Sequence, residues 1–210
     1  MKRSGISFVL LTTAVGAAAV LGAASLEACG HSAPVTSSGT GTGSPTKEQG
    51  LVAFETMRSV LQHPRCQNCH PRGDAPLQGD DGHPHAQNVQ RGPDGKGQVG
   101  ERCTTCHGPM NPPESYGGHT PPGVATGWRM PKPEERLVFV GMAPGALCEQ
   151  LKDPSRNGGK DMAALRVHLD DPLVTWGWTP GLGRAPIPVA RQVFLDAFTT
   201  WAGAGAPCPQ

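Results

Sequence analysis

Apolar residues recur at helical spacing in three segments of the chain. One face of residues 48–62 carries the apolar side chains Leu51, Phe54, Met57, Val60 and Leu61. A second stripe in residues 160–170 consists of Met162, Leu165 and Leu169. A C-terminal amphipathic stripe consists of Val189, Val193, Phe194, Ala197, Phe198 and Trp201. These patterns predict three helices, with a shorter helix over residues 146–152.

Long segments without periodicity separate the predicted helices. Residues 71–102 and 109–133 are rich in Gly, Pro and polar residues, which predicts loops. The whole chain contains 29 Gly and 22 Pro but only five Phe and one Tyr. Such a composition approaches that of irregular sequence and leaves few aromatic side chains for a core. We therefore expect a mainly α fold with long irregular loops that needs a cofactor or crosslinks to stay folded.

The N-terminal segment has the pattern of a secretory signal peptide. Lys2 and Arg3 precede an apolar, small-residue stretch over residues 6–24. This predicts that residues 1–28 are a signal peptide and that the mature chain is exported to an oxidising compartment.

The signal peptide ends in a sequence that is typical of bacterial lipoproteins. Leu26-Glu27-Ala28-Cys29 predicts cleavage before Cys29 and lipid attachment to its thiol, although Glu27 departs from the usual small or aliphatic residue. Ordinary cleavage after a small residue is the alternative. Residues 29–49 are rich in Gly, Ser, Thr and Pro, which predicts a flexible tether before a domain at 50–210. The prediction is a lipoprotein anchored to a membrane and facing the periplasm.

Two copies of Cys-x-x-Cys-His, at residues 66–70 and 103–107, predict two covalently bound c-type haems. In each copy the two thiols add to the haem vinyl groups, and the adjacent histidine binds the iron. The residues are Cys66, Cys69 and His70 for the first haem, and Cys103, Cys106 and His107 for the second. The full prediction is a cytochrome c-like domain in which a few short helices pack around two haems.

Two other uses of the Cys-x-x-Cys pairs remain as alternatives. Four cysteines form structural zinc sites, but the separation of Cys69 from Cys103 exceeds the roughly 15–20 residues usual in such ribbons. Neither pair lies in an obvious strand-to-helix context, which disfavours a redox-active dithiol.

The remaining cysteines are Cys148 and Cys208. In an exported domain two such cysteines are expected to form a disulfide, with two free buried thiols as the alternative.

Each iron needs a sixth ligand, which sets its potential and chemistry. His85 lies in a Gly-Asp-Asp-Gly-His-Pro-His segment, and His168 lies on a predicted helix next to the aromatic turn at residues 176–178. These two histidines are the first candidates, and Met130 is the leading alternative. His63, just before the first motif, is predicted to be a cap or a surface residue.

The formal net charge is +1. This near-neutral balance predicts no nucleic-acid partner and no polybasic contact with a membrane surface.

Several short segments of the sequence resemble a known family. They are His63-Pro64-Arg65-Cys66, Pro76-Leu77-Gln78-Gly79-Asp80-Asp81, Arg91-Gly92-Pro93-Asp94, Leu147-Cys148-x-x-Leu151-Lys152-Asp153-Pro154 and Asp171-Pro172-Leu173-Val174-x-Trp176-Gly177-Trp178. Together they are similar to small exported bacterial dihaem cytochromes c, often labelled subunits of isoquinoline oxidoreductase. The resemblance covers most of residues 51–209. It implies an electron acceptor for a molybdenum hydroxylase that oxidises an N-heterocycle or an aldehyde.

The sequence thus predicts an electron-transfer protein, or an electron-transfer subunit, that is not an enzyme by itself. Its expected partners are a dehydrogenase, a downstream electron acceptor and, through lipid, a membrane. One alternative is a haem enzyme resembling a dihaem peroxidase, with one open iron site. Another is a binding module stabilised by structural zinc or by haem.

Overall fold

A computed structural model describes residues 43–210 of the chain. The predicted signal peptide and Cys29 lie outside these residues. The described part contains the α-helices α1 (Lys47–Leu61), α2 (Pro64–Gln67), α3 (Pro144–Lys152), α4 (Pro154–Asn157), α5 (Met162–His168), α6 (Pro172–Thr175) and α7 (Arg191–Gly203). Short 3-10 helices lie at Cys103–Thr105, Glu114–Tyr116, Pro133–Glu135 and Trp176–Trp178. The prediction of a mainly helical fold with long loops is confirmed.

Helix α1 begins earlier than the predicted domain boundary at residue 50. Thr46 caps it in a capping box, accepting from the Gln49 backbone N–H at 3.2 Å while the Gln49 side chain accepts from the Thr46 N–H at 2.8 Å. The last three residues of the predicted tether, 47–49, are therefore helical. The helix predicted over residues 48–62 is otherwise confirmed.

The core forms chiefly where α1 packs on α7. The ring of Phe54 lies 5.9 Å from that of Trp201, and both side chains are fully buried. Gly50 allows this approach, because a Cβ atom there would lie 2.6 Å from the Cβ of Ala204. The C-terminal helix is confirmed at residues 191–203, although Val189 of its predicted apolar stripe precedes the helix and Val193 is exposed.

A disulfide joins Cys148 of α3 to Cys208, the pair expected from the sequence, with the two Cα atoms 5.5 Å apart. It attaches the segment after α7 to α3. The disulfide therefore ties the C-terminal segment to the helical part of the molecule.

The predicted loops contain four two-residue strands. Strands β1 (Leu77–Gln78) and β2 (His83–Pro84) pair antiparallel, as do β3 (Gly97–Gln98) and β4 (Glu101–Arg102). The hairpins arise because backbone N–H and C=O groups need partners even where apolar periodicity is missing.

Arg91 connects the two long loops. Its side chain is only 1 % exposed and donates to the Asp74 carboxylate at 3.2 Å, to the Gly73 carbonyl at 3.0 Å and to the Pro131 carbonyl. Asp74 also pairs with Arg136. Buried charges of this kind are tolerated because every partner is supplied, and they hold irregular backbone in place around the candidate site.

Pro64 is the first residue of α2, a position that suits a residue without an N–H group. His63 caps this helix, since its Nδ1 accepts from the Arg65 backbone N–H at 3.2 Å. The prediction of a capping role for His63 is confirmed, and α2 presents the first Cys-x-x-Cys-His motif. No helix within residues 43–210 is long and apolar enough to cross a membrane.

Candidate functional site

Each Cys-x-x-Cys-His motif lines its own cavity. The first cavity, of about 460 Å³, contains Cys66, Cys69 and His70; the second, of about 560 Å³, contains Cys103, Cys106 and His107. Both volumes lie within the roughly 300–1,000 Å³ that cofactor sites usually have. Arg65, Cys69 and Met130 line both cavities, so the two cavities are immediate neighbours.

His70 is held by the backbone of residues 137–139. Its Nδ1 lies 3.0 Å from the Leu137 carbonyl oxygen, and the Phe139 N–H donates to the His70 carbonyl at 2.9 Å. Because a carbonyl only accepts, Nδ1 carries the proton and Nε2 has a free lone pair. Phe139 stacks on the imidazole with ring centroids 4.0 Å apart. Histidine ligands of metals are commonly oriented by such a bond from their other nitrogen.

His107 is held in the same way by a different segment. Its Nδ1 lies 2.7 Å from the Pro122 carbonyl oxygen, and the Val124 N–H donates to the Gly108 carbonyl at 3.1 Å. Trp128 stacks on the imidazole with ring centroids 4.7 Å apart. Both motif histidines therefore have Nε2 available as a ligand and an aromatic ring against one face.

His85 lies opposite His107 in the second cavity. The two ring centroids are 6.3 Å apart, and the Nδ1 atom of His85 is buried without a hydrogen-bond partner among the described residues. A metal ion between two imidazoles needs two bonds of about 2.0–2.1 Å plus the two ring radii, which this separation accommodates. Burial lowers the pKa of His85, against an opposing contact with the Gln87 side chain, and so favours the neutral ring that binds metals.

His168 lies in the first cavity with His70, at the C-terminal end of α5. It is close enough to lower the pKa of His70 further by charge repulsion, although burial is the main cause and brings that pKa to about 4. Burial likewise lowers the pKa of His168. The first cavity thus holds two histidines that stay neutral at pH 7.

Met130 lies at the boundary between the cavities. It is only 6 % exposed, and its N–H donates to the Gly95 carbonyl at 2.8 Å. Of the three candidates for the sixth ligand, the structure brings His85 to His107 and His168 into the cavity of His70. Met130 borders both cavities, which fits a packing role.

The pKa values of the buried motif thiols are shifted in the opposite direction from those of a redox-active dithiol. Burial raises the pKa of Cys66 to about 12 and that of Cys69 to about 11. Burial also raises the pKa of Cys103, whereas Cys106 is exposed. Reactive Cys-x-x-Cys pairs have lowered thiol pKa values instead.

Residues 43–210 contain no group of three or more His, Cys, Asp or Glu side chains that would hold a metal ion. The four motif cysteines are therefore not assembled as a four-thiolate zinc site. A haem makes no such demand, because the porphyrin supplies four ligands and the protein only one or two.

Charged side chains border both cavities. Arg129 pairs with Asp171 at the first cavity, where Lys96 and Lys132 also lie. Arg65, Asp80 and Arg184 lie at the second cavity. An apolar interior with cationic groups at its border suits a ligand with a flat apolar body and carboxylates at its edge.

Sequence reasoning missed the groups that orient the motif histidines. The carbonyls of Leu137 and Pro122 act through the backbone, so no side-chain type marks them. Phe139 and Trp128 had a weak signal, as two of the few aromatic residues of the chain. Their partners follow only from the folded loops.

No protein-family model matches the chain, and neither the curated proteins nor the solved structures searched include a similar one.

Proposed function

We propose that the protein is a dihaem c-type cytochrome that carries single electrons on the periplasmic side of a membrane. The carrying observation is the repeated arrangement in two adjacent cavities: a Cys-x-x-Cys-His motif, an Nδ1 bond to a backbone carbonyl, and a second histidine in the same cavity. One such arrangement has several explanations. Two copies in neighbouring cavities favour a pair of redox cofactors.

The described residues fit two haems. Cys66 and Cys69 would form the thioether bonds of the first haem, with His70 and His168 as iron ligands. Cys103 and Cys106 would hold the second haem, with His107 and His85 as ligands. The 6.3 Å between the His85 and His107 rings is the most specific part of this fit.

The haem iron would supply a one-electron couple between its ferric and ferrous states. The carbonyls of Leu137 and Pro122 would orient the two ligating imidazoles. Apolar side chains such as Leu61, Leu165 and Phe198 would face the porphyrin in the first cavity. Because Arg65, Cys69 and Met130 line both cavities, haems held there would be neighbours that could exchange electrons.

The presence of a second histidine in each cavity supports electron transfer over the alternative of a haem enzyme. A peroxidase-like enzyme needs an iron with an open position for its substrate. Two irons that each bind a histidine on both sides would have no open position, which favours outer-sphere electron exchange with protein partners. The lack of a group of three or more metal-binding side chains within residues 43–210 supports haem attachment over a structural zinc module.

Partners and location follow from the N-terminal pattern and the family resemblance. A lipid on Cys29 would tether the domain to a membrane through the segment up to Pro45. An exported dehydrogenase of the molybdenum hydroxylase type would deliver electrons, and a downstream redox protein would take them.

The intact mass of the mature protein, made where haem c is assembled, tests this proposal. We expect the mass of two haems, plus a lipid on Cys29. The double variant Cys66→Ala/Cys69→Ala loses one haem, and Cys103→Ala/Cys106→Ala loses the other. The pair Cys148→Ser/Cys208→Ser is the control that removes two cysteines and keeps both haems. A mature chain without haem and with bound zinc would refute the proposal.

A further inference from the structure

Arg65 is a buried cation with an unused donor at the junction of the two cavities. Its side chain is only 2 % exposed, and it lines both cavities. One guanidinium nitrogen donates to the Gly79 carbonyl at 2.8 Å and to the Asp80 carboxylate. The Nε atom is buried and has no hydrogen-bond partner within residues 43–210. A buried charged donor left unpaired costs free energy unless a ligand supplies the acceptor.

The surroundings of Arg65 hold its guanidinium group in place but do not supply a hydrogen-bond acceptor for Nε. The Trp176 ring lies 5.9 Å from the guanidinium carbon, and the Trp176 Nε1–H donates to Asn111 at 3.0 Å. Gly177 lies against the arginine Cβ, because a Cβ atom at Gly177 would be 3.4 Å from it. The side chain is therefore held in one position before any ligand is present.

Arg184 adds a second guanidinium to the same side of the second cavity. It donates to the carbonyl of Thr120, and burial together with repulsion from Arg65 lowers its pKa. Asp80 lies between the two segments and accepts from the Ala185 N–H at 3.1 Å. Asp81, Glu101 and Arg102 also line this cavity, but around Asp80 the two guanidinium groups leave one positive charge unmatched, which suits a further carboxylate.

We infer that Arg65, with Arg184, binds a propionate carboxylate of the haem in the second cavity and raises the reduction potential of that haem. The inference rests on the proposed function and extends it to a residue outside the haem motifs. Arg65 immediately precedes Cys66, whose sulfur would join the vinyl edge of the first haem. Because propionates project from the porphyrin edge opposite the vinyl groups, the first haem directs its own propionates away from Arg65. Arg184 lines only the second cavity, so we place the acceptor shared by the two guanidinium groups on the haem that this cavity would hold.

The charge of Arg65 should change the reduction potential of the second haem in a definite direction. A fixed positive charge near the iron stabilises the reduced state, which carries one more electron, and a fixed negative charge opposes it. Arg65→Gln is expected to lower the equilibrium constant for reduction of the second haem about tenfold, which is about 59 mV for a one-electron couple. Asp80→Asn is expected to raise it, since the amide keeps an oxygen for Arg65 but loses the charge.

Potentiometric titration of the mature holoprotein tests the inference, with the two one-electron steps assigned by spectroscopy. Arg65→Lys, which keeps the charge, is expected to recover most of the shift. Arg58→Gln is the matched control, because Arg58 pairs with Glu55 on α1 and lines neither cavity. Its titration should match that of the wild type.

Opposite shifts for Arg65→Gln and Asp80→Asn support the inference, whereas a loss of packing would not produce opposite signs. Unchanged potentials in both variants, or shifts of the same sign, would overturn it while the two haems and the proposed function stand. If Arg65→Gln blocks haem attachment, Asp80→Asn decides alone. A wild-type chain that matures without haem would instead refute the proposed function.

Discussion

Each of the two cavities contains a Cys-x-x-Cys-His motif and a further histidine, but the surroundings of the two cavities differ. The first cavity is enclosed by helices and apolar side chains, which include Leu61 of α1, Leu165 of α5 and Phe198 of α7. The second is enclosed largely by the loops, with Gln78, Gln90 and the charged groups around Arg184 on its wall. The comparison shows that a backbone carbonyl and an aromatic ring orient the motif histidine in either environment.

Solvent access is the main consequence of the difference. Both thiols of the first motif are half-buried, whereas Cys106 of the second motif is exposed. Outer-sphere transfer requires close approach of a partner to a haem edge. We therefore expect electrons to be exchanged with partners at the second haem and passed to and from the first haem internally.

The largest expected effect separates the two sixth ligands. His168→Ala should open the iron of the first haem alone, and His85→Ala the iron of the second alone. Each variant loses the low-spin signal of one haem and gains carbon monoxide binding in the reduced state, because one iron position becomes free. Carbon monoxide difference spectra provide the measurement.

Met130→Leu is the control for these variants, since it keeps an apolar side chain of similar volume at the boundary of the cavities. It should leave both haems low-spin. A histidine variant that keeps both irons closed would contradict the assigned ligand.

The next largest effect is the difference in stability lost when each of the two aromatic rings is removed. Phe139 is buried against His70, so Phe139→Ala should lower the free energy of unfolding by about 3–5 kcal/mol. Trp128 is only half-buried where it stacks on His107, so Trp128→Ala should cost less. Denaturant unfolding followed at the haem absorbance measures both. Equal losses would mean that the two cavities are equally well packed.

Removal of the disulfide should act on the helical side of the molecule. The crosslink closes a loop of 60 residues in sequence separation, and its loss should destabilise the protein by about 2–4 kcal/mol. Because it joins α3 to the end of α7, the spectrum of the first haem should change at lower denaturant concentration than that of the second. The pair Cys148→Ser/Cys208→Ser, compared with the wild type in guanidinium, checks the order; the reverse order would contradict this placement.

The smallest expected effect is a difference in acid sensitivity. Burial lowers the pKa of His70 to about 4, and it lowers the pKa of His107 less strongly. A histidine with a lowered pKa binds iron in its neutral form and is displaced only as the pH falls below its usual range towards the lowered value. The second haem should therefore become high-spin at higher pH than the first. Absorbance titration from pH 7 to about pH 3 measures the order in which the two haems become high-spin. A simultaneous change of both haems would contradict the prediction.

The sequence predicts the helices and the disulfide more accurately than the surroundings of the site. Helix α1 was predictable because Phe54, Met57 and Leu61 repeat at helical spacing, although its start at the Thr46 cap was not predicted. The pair Cys148 and Cys208 was predictable by elimination among the cysteines. These features depend on local pattern or on counting.

The pairing of each histidine was not predictable. His85 meets His107 because the loop after β2 folds back over the second motif, and no periodicity encodes that contact. Arg65 gave no signal beyond its place next to a motif, since its unsatisfied Nε appears only in three dimensions. Loop geometry depends on Gly and Pro conformations and on buried pairs such as Arg91 with Asp74, which a single sequence does not reveal.

The decisive measurement is low-temperature electron paramagnetic resonance of the oxidised mature protein. We expect two low-spin ferric haems per chain, both with two histidine ligands. A high-spin haem, or a haem with a methionine ligand, would contradict the pairing of His85 with His107 and of His168 with His70.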